Sequence, residues 1–355
     1  MSKLYSHLKF LGFSEQLQAL SNQQVVAPVH IRIKPTNYCN HDCWYCAYHV
    51  DDLEIDRKVD LRDSIPEVKM FEIADDLIEM GVKAVTFSGG GEPLIYKPLP
   101  RVIERLAGGG VKVAALTNGS NLKGRVADAF ASHGTWIRIS LDGYDEASYS
   151  KARGVSDGSF SSLMKNMSAF SARGCRCVMG AAYIIDQQNY QGIYQACSRL
   201  KEAGSDHVKL SGVIVGNSAE KNNKYHDVIK EETWKQIERA RVLEDENFTL
   251  IDAYHDLDDR GWNKLYKSCP HLLFCPVIGA DCGVYTCHDK AYTEEGRLGS
   301  ITAMGFREFW MSEENRQQLY AFDPSLSCQH HCVAHSSNMA LQEYLALDPE
   351  HKFFV

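Results

Sequence analysis

The run Cys39-Asn40-His41-Asp42-Cys43-Trp44-Tyr45-Cys46 sets three cysteines at a C-x3-C-x2-C spacing, so that one loop can present all three thiolates together. Three thiolates can hold three irons of a [4Fe-4S] cluster, which leaves the fourth iron open to a small molecule. An electron-transfer ferredoxin would carry a fourth cysteine close by, and the next one in this chain is Cys175. Two other chemistries compete. A structural zinc site wants four ligands and could draw on His41 or His49. A disulfide framework needs an oxidising compartment, whereas the chain opens with no signal peptide and reads as cytoplasmic.

Outward from the loop, the chain alternates short apolar runs with helical periodicity. Residues 29–34 form a strand that delivers the chain into the cysteines. Strands follow at 84–88, 112–117, 136–141, 177–185 and 207–215, with helices at 68–80, 99–107, 125–132, 160–173 and 190–203. Six β units with helices between them predict an α/β fold whose mainly parallel sheet has right-handed crossovers. The count fits an open (β/α)6 partial TIM barrel, with its active site at the C-terminal ends of the strands. Residues 1–28 read as an amphipathic helix (Leu4, Leu8, Leu11, Leu17, Leu20) and a linker. The core occupies 29–220, a charged helical connector 221–251, and a small cysteine-rich α+β domain 252–355.

The chain has 355 residues, enough for one large domain or two smaller ones. A net charge of −8 argues against nucleic acid or an anionic membrane as the main partner. No apolar run reaches the length of a membrane span. The acidic stretch Asp51-Asp52-Leu53-Glu54-Ile55-Asp56 reads as a solvated loop. The 12 cysteines fall largely into two groups: Cys39, Cys43 and Cys46 at one end, and Cys269, Cys275, Cys282, Cys287, Cys328 and Cys332 at the other. Two groups point to two metal centres. Cys175, Cys177 and Cys197 lie on core elements and read as buried thiols.

The cysteine spacing, with Tyr45 before the third cysteine, resembles the signature of the radical S-adenosylmethionine (SAM) superfamily. That resemblance implies that SAM chelates the open iron and that an electron from the cluster cleaves it to a 5'-deoxyadenosyl radical. Ser88-Gly89-Gly90-Gly91-Glu92-Pro93 resembles the family's GGEP motif, which implies Gly90, Gly91, Glu92 and Pro93 at the SAM amino group. Thr117-Asn118-Gly119 closes the third strand and also matches the family pattern, although it reads equally as a plain turn. Ser140-Leu141-Asp142-Gly143, with Arg153 a short loop later, implies Ser140 and Arg153 at the SAM carboxylate, with Asp142 a further cofactor-binding candidate. Arg suits a carboxylate because its guanidinium pairs bidentately. Gly212-Val213-Ile214-Val215-Gly216 resembles the strand that meets adenine, with Ile214 in contact; Ala219 stands where that pattern has an acidic residue.

Cys269 through Asp289 resembles the entry to the auxiliary-cluster domain called SPASM, or its shorter form, Twitch. In that register Cys269 and Cys287 are ligands, Cys282 takes a usual glycine place, and Cys328 and Cys332 complete a second [4Fe-4S] cluster. A zinc site drawing on His288, His330 or His331 is the alternative.

The family resemblance implies hydrogen-atom abstraction followed by oxidation, epimerisation or bond formation. Residues 1–28 are too short for a peptide-recognition module, which favours a small polyhydroxylated substrate, sugar- or aminocyclitol-like, over a peptide. The expected partners are that substrate and a reductant such as flavodoxin or ferredoxin. Candidate bases are Asp252, His255 and Asp256, with Arg138 and His288 behind them. Cys275 and Cys282 are candidate hydrogen-atom donors. A zinc-binding regulatory or scaffold protein is the reading from another class.

Overall fold

The computed structural model describes residues 5–48, 58–255, 261–348, 350, 351 and 354. His49, the acidic stretch 51–56 and Asp256 lie outside these. Strands β1 (His30–Ile33), β2 (Ala84–Phe87), β3 (Lys112–Thr117), β4 (Gly134–Ser140), β5 (Val178–Ile185), β6 (His207–Gly212) and β7 (Thr249–Asp252) pair in chain order, all parallel. Helices Glu67–Glu79, Leu99–Gly108, Gly124–His133, Ser159–Ser171 and Ile193–Glu202 fill the first five crossovers. This is the expected α/β partial barrel, with one strand more than the sequence indicates. The seventh, β7, is four residues long and crosses the expected boundary between connector and C-terminal domain.

Strand alternation sorts the sheet into two faces. Ile33, Phe87, Ala115, Ile137 and Met179 form one registered row, each at most 2% exposed, packed under the helices. The positions between them, such as Arg138, Gly180 and His207, face the opposite way, into the barrel.

The cysteine-rich region continues the same sheet. Strand β8 (Val277–Ile278) runs parallel to β1, and β9 (Gly283–Tyr285) and β10 (Arg297–Ser300) follow antiparallel. The full order is β10-β9-β8-β1-β2-β3-β4-β5-β6-β7. β1 is therefore shared: its end feeds the first cysteine group, and its side carries the hairpin between Cys275 and Cys287.

Two local expectations change. The N-terminal helix spans only Ser14–Ser21; Leu17 and Leu20 are buried, while Leu8 and Leu11 are 43% and 56% exposed. The segment before Arg153 is a helix, Glu146–Arg153, rather than a loop. Asp145 caps it through Ser148 N at 2.8 Å, in a reciprocal capping box. Among the described residues no helix is long and apolar enough to cross a membrane.

Candidate active site

The cysteine loop is pinned from three directions. Beneath it, Gly91 N donates to Thr36 O and Glu92 N to Tyr38 O, each at 3.0 Å. These contacts explain the glycines. A Cβ on Gly91 would lie 1.9 Å from the Tyr38 carbonyl oxygen, and one on Gly90 would lie 2.1 Å from Asn37 Oδ1. Pro93 is buried at the start of the short turn that follows.

From the end of β3, Asn118 Nδ2 donates to Asn40 Oδ1, and Asn40 Nδ2 donates to Ser120 Oγ, both at 2.9 Å. Glu92 is 2% exposed, and its carboxylate accepts from Thr117 Oγ1 (2.5 Å), Asn118 N (2.7 Å) and Leu94 N (2.9 Å). Burial raises its pKa against those hydrogen bonds. Glu92 thus locks β3 to the glycine loop.

From the end of β4, Asp142 turns the chain at φ +60° and accepts Ile184 N at 2.7 Å. Its other oxygen takes Tyr45 Oη and Arg153 Nη1, the latter at 2.7 Å. Arg153 Nη1 also reaches Tyr45 Oη at 2.6 Å, and its Nε lies 3.4 Å from His41 Nδ1. Asp42 N donates to Arg153 O at 3.0 Å. Arg153 and Asp142 are buried together, 6% and 0% exposed. The sequence points both at SAM; the partners they have in the structure are each other and the cysteine loop. Ser140 ends β4 facing the barrel interior, and Ile214 lies just past β6, half-buried.

Neighbouring thiols disfavour the ionisation of Cys43 and Cys39. Burial pushes Cys43 up to about 12, Arg153 opposes this, and Asp142, Cys46 and Cys39 add to it. Burial also raises Cys39. Such thiols become thiolates together around a cationic centre, as cluster irons provide.

The C-terminal thiols meet in the same way. Cys269, Cys287, Cys328 and Cys332 line one cavity with Arg32, Lys264 and His288. Burial pushes Cys269 up to about 11 and Cys328 to about 12; Cys287 and Cys332 are raised too, and each of the two feels the thiol charge of the other three or of Cys269. The buried Lys264 places its ammonium beside them, donating to Trp262 O at 3.0 Å and to His330 O. Asn338 Nδ2 donates to Cys269 Sγ at 3.2 Å. Among the described residues no three or more His, Cys, Asp or Glu side chains converge tightly enough for a single metal ion. Both donor sets fit iron–sulfur clusters.

The remaining candidates separate. Asp252 ends β7, accepts Tyr254 N (3.0 Å) and His255 N (3.3 Å), and pairs with His255 Nδ1 and Arg241 Nη2 (3.4 Å). His255 stacks on Trp234 with ring centroids 5.3 Å apart. Cys275 lies 3.2 Å from His30 Nδ1, at the opposite end of β1 from the cysteine loop. Cys282 adopts φ +57° in the β8–β9 turn, the glycine-like place, and burial raises its thiol pKa. Cys275 also lines the cavity of the C-terminal thiols. Sequence reading missed Lys34, fully buried, whose Nζ donates to Tyr48 Oη and Gly89 O, both at 2.6 Å, and lies 3.5 Å from His288 Nδ1. A lysine ending a strand gives no sign that it links the glycine loop to the second cysteine group.

Residues 33–200 match the family model of the Radical SAM superfamily. The chain is 31% identical over 129 residues to the GTP 3',8-cyclase of Synechococcus elongatus, covering 36% of this chain and 38% of that protein. Across the first curated relatives the match spans 38% to 54% of their length. In structure, the chain is similar to Streptococcus suis SuiB bound to S-adenosylmethionine: TM-score 0.60, 16% identity, 83% of this chain and 68% of that one. It is also similar to anSMEcpe with bound AdoMet: TM-score 0.58, 16% identity, 89% of this chain and 95% of that one. At those identities the likeness is one of fold. It extends through the cysteine-rich C-terminal region, and SPASM/Twitch-containing radical SAM enzymes are among the structural neighbours.

Proposed function

We propose that this chain, a member of the radical SAM superfamily, holds one [4Fe-4S] cluster on Cys39, Cys43 and Cys46 and an auxiliary one on Cys269, Cys287, Cys328 and Cys332. It takes a hydrogen atom from a small polyhydroxylated substrate, sugar- or aminocyclitol-like, on the way to oxidation or epimerisation. The first cluster, when bound, supplies the electron that cleaves SAM, and the auxiliary cluster can accept the electron that an oxidation releases.

The protein's part is positioning. Asp142, Arg153 and Tyr45 fix the cysteine loop, Glu92 fixes the glycine loop against it, and Ser140 and Ile214 stand at strand ends where SAM is held. Asp252 orients His255 at the C-terminal end of β7, a place from which the pair can take a substrate proton. The observation that carries the reading is the convergence of Cys269, Cys287, Cys328 and Cys332, with Cys275 beside them, on one cavity next to β1.

The test is iron and sulfide content after anaerobic reconstitution. Wild type should hold about eight irons, and a Cys39/Cys43/Cys46→Ala variant about four, since each cluster holds four. About four falling to none would remove the auxiliary cluster and the oxidation with it.

A further inference from the structure

Asn338, Thr286 and Lys264 stand in the wall of the C-terminal thiol cavity, and each brings a hydrogen-bond donor to it. Asn338 Nδ2 gives one N–H to Cys269 Sγ at 3.2 Å. Thr286 is 1% exposed and precedes Cys287 in the chain, and its Oγ1 has no hydrogen-bond partner among the described residues. Lys264 is also buried. An ammonium has three donors, and Lys264 Nζ gives two of them, to Trp262 O and His330 O. The third has no partner among the described residues.

A buried hydroxyl left without a partner costs about 1–3 kcal/mol. Thr286 Oγ1 therefore marks a place where an acceptor sits once the thiols hold their group. The charges of the wall point the same way. Arg32 and Lys264 line the cavity, and among the described residues Asp289 is its single carboxylate. Burial weakens the Lys264 ammonium, while the thiol charges of Cys332 and Cys328 favour it. The cavity thus pairs its cations with its cysteines.

We infer that Thr286 and Lys264 set the reduction potential of the auxiliary cluster: each offers a donor to its sulfurs, and with Arg32 they hold that potential high. Taking up one electron adds one negative charge, and donors and cations in a buried wall stabilise that state more than the one before it. The centre is thereby poised to receive an electron. An oxidation needs such an acceptor. The hydroxyl-bearing carbon radical left by hydrogen abstraction becomes a carbonyl by giving its O–H proton to a base and one electron to the cluster. This rests on the auxiliary-cluster reading above and names the residues that tune it.

The test is an anaerobic redox titration, followed by electron paramagnetic resonance, of the full-length Cys39/Cys43/Cys46→Ala chain, which keeps the auxiliary cluster alone. In that background Thr286→Val should make reduction about threefold to tenfold less favourable, and Lys264→Met about tenfold or more. Each tenfold step lowers the potential by about 59 mV for one electron. Lys264→Arg keeps the charge and should recover part of the loss. Iron content should stay at about four per chain throughout, so that the shift is one of potential and not of assembly. Unmoved or raised potentials in the iron-loaded variants overturn the inference. Loss of iron from them overturns it too, because it would make both side chains scaffolding. Thr286→Val, the smaller change, decides should Lys264→Met fail to fold. A parent chain without iron removes the auxiliary-cluster reading itself, whereas about four irons with unmoved potentials sink this inference alone.

Discussion

Gly154 closes the helix Glu146–Arg153 at φ +60°, and a Cβ there would lie 2.2 Å from the Asp42 carbonyl oxygen, inside the cysteine loop. Alanine at this corner must hold a left-handed backbone, at a cost of about 1 kcal/mol, and must also push the loop away. Gly154→Ala is expected to lose the N-terminal irons and keep the C-terminal ones, about four of about eight by iron and sulfide assay. Full iron retention would mean that the corner does not hold the loop. Asp142→Asn tests the buried pair directly. It leaves the Arg153 guanidinium without its carboxylate, and breaking a buried pair from one side costs about 3–5 kcal/mol. Anaerobic unfolding should show a loss of that order, and a loss within the range of surface substitutions would rule the pair out as an anchor. These residues mark the limit of what sequence shows. Asp142, Arg153 and Glu92 are legible as motif members, because their types and spacing match a pattern. Their partners are not legible: whether a carboxylate meets a ligand, a guanidinium or a backbone N–H depends on which strand ends lie side by side.

The strands and helices around the loop follow from periodicity almost throughout, since strands buried on both faces read as continuous apolar runs. The two elements that escaped are short. β7 offers only four residues after a charged helix, and the helix Glu146–Arg153 has a single buried face carried by Tyr149 and Ala152. Asp145 and Ser148 gave a usable capping signal there. The joining of β8 to β1 was not legible, because pairing between segments more than two hundred residues apart leaves no local pattern. The helix His335–Leu345 shows what such an element contributes. Its fully buried Asn338 donates to Cys269 Sγ at 3.2 Å and accepts His271 N at 3.0 Å. Asn338→Ala strands a buried N–H, a cost of about 1–3 kcal/mol, and releases the first ligand of the second group. The variant should lose about four irons to a chelator that wild type resists. Equal resistance would separate this helix from the cluster.

Across the whole molecule, the neutral histidine of the barrel interior sets a pH dependence that can be worked out in sign. Burial, and then the Arg138 charge, lower the His207 pKa from 6.5 to about 4. Above pH 6.5 neither the folded nor the unfolded chain binds this proton, and the group adds no slope. Between 6.5 and about 4 only the unfolded chain binds it. Stability therefore falls as pH falls, by about 1.4 kcal/mol per pH unit for one histidine, until the folded ring also titrates. His207→Gln removes that single term whatever the other buried groups contribute. Its stability should decline less steeply than wild type between pH 6 and pH 4.5, by about one proton's worth of slope. Urea midpoints taken anaerobically across that window measure the difference. Parallel curves would show that His207 is protonated in the folded barrel; it would then add a positive charge beside Arg138.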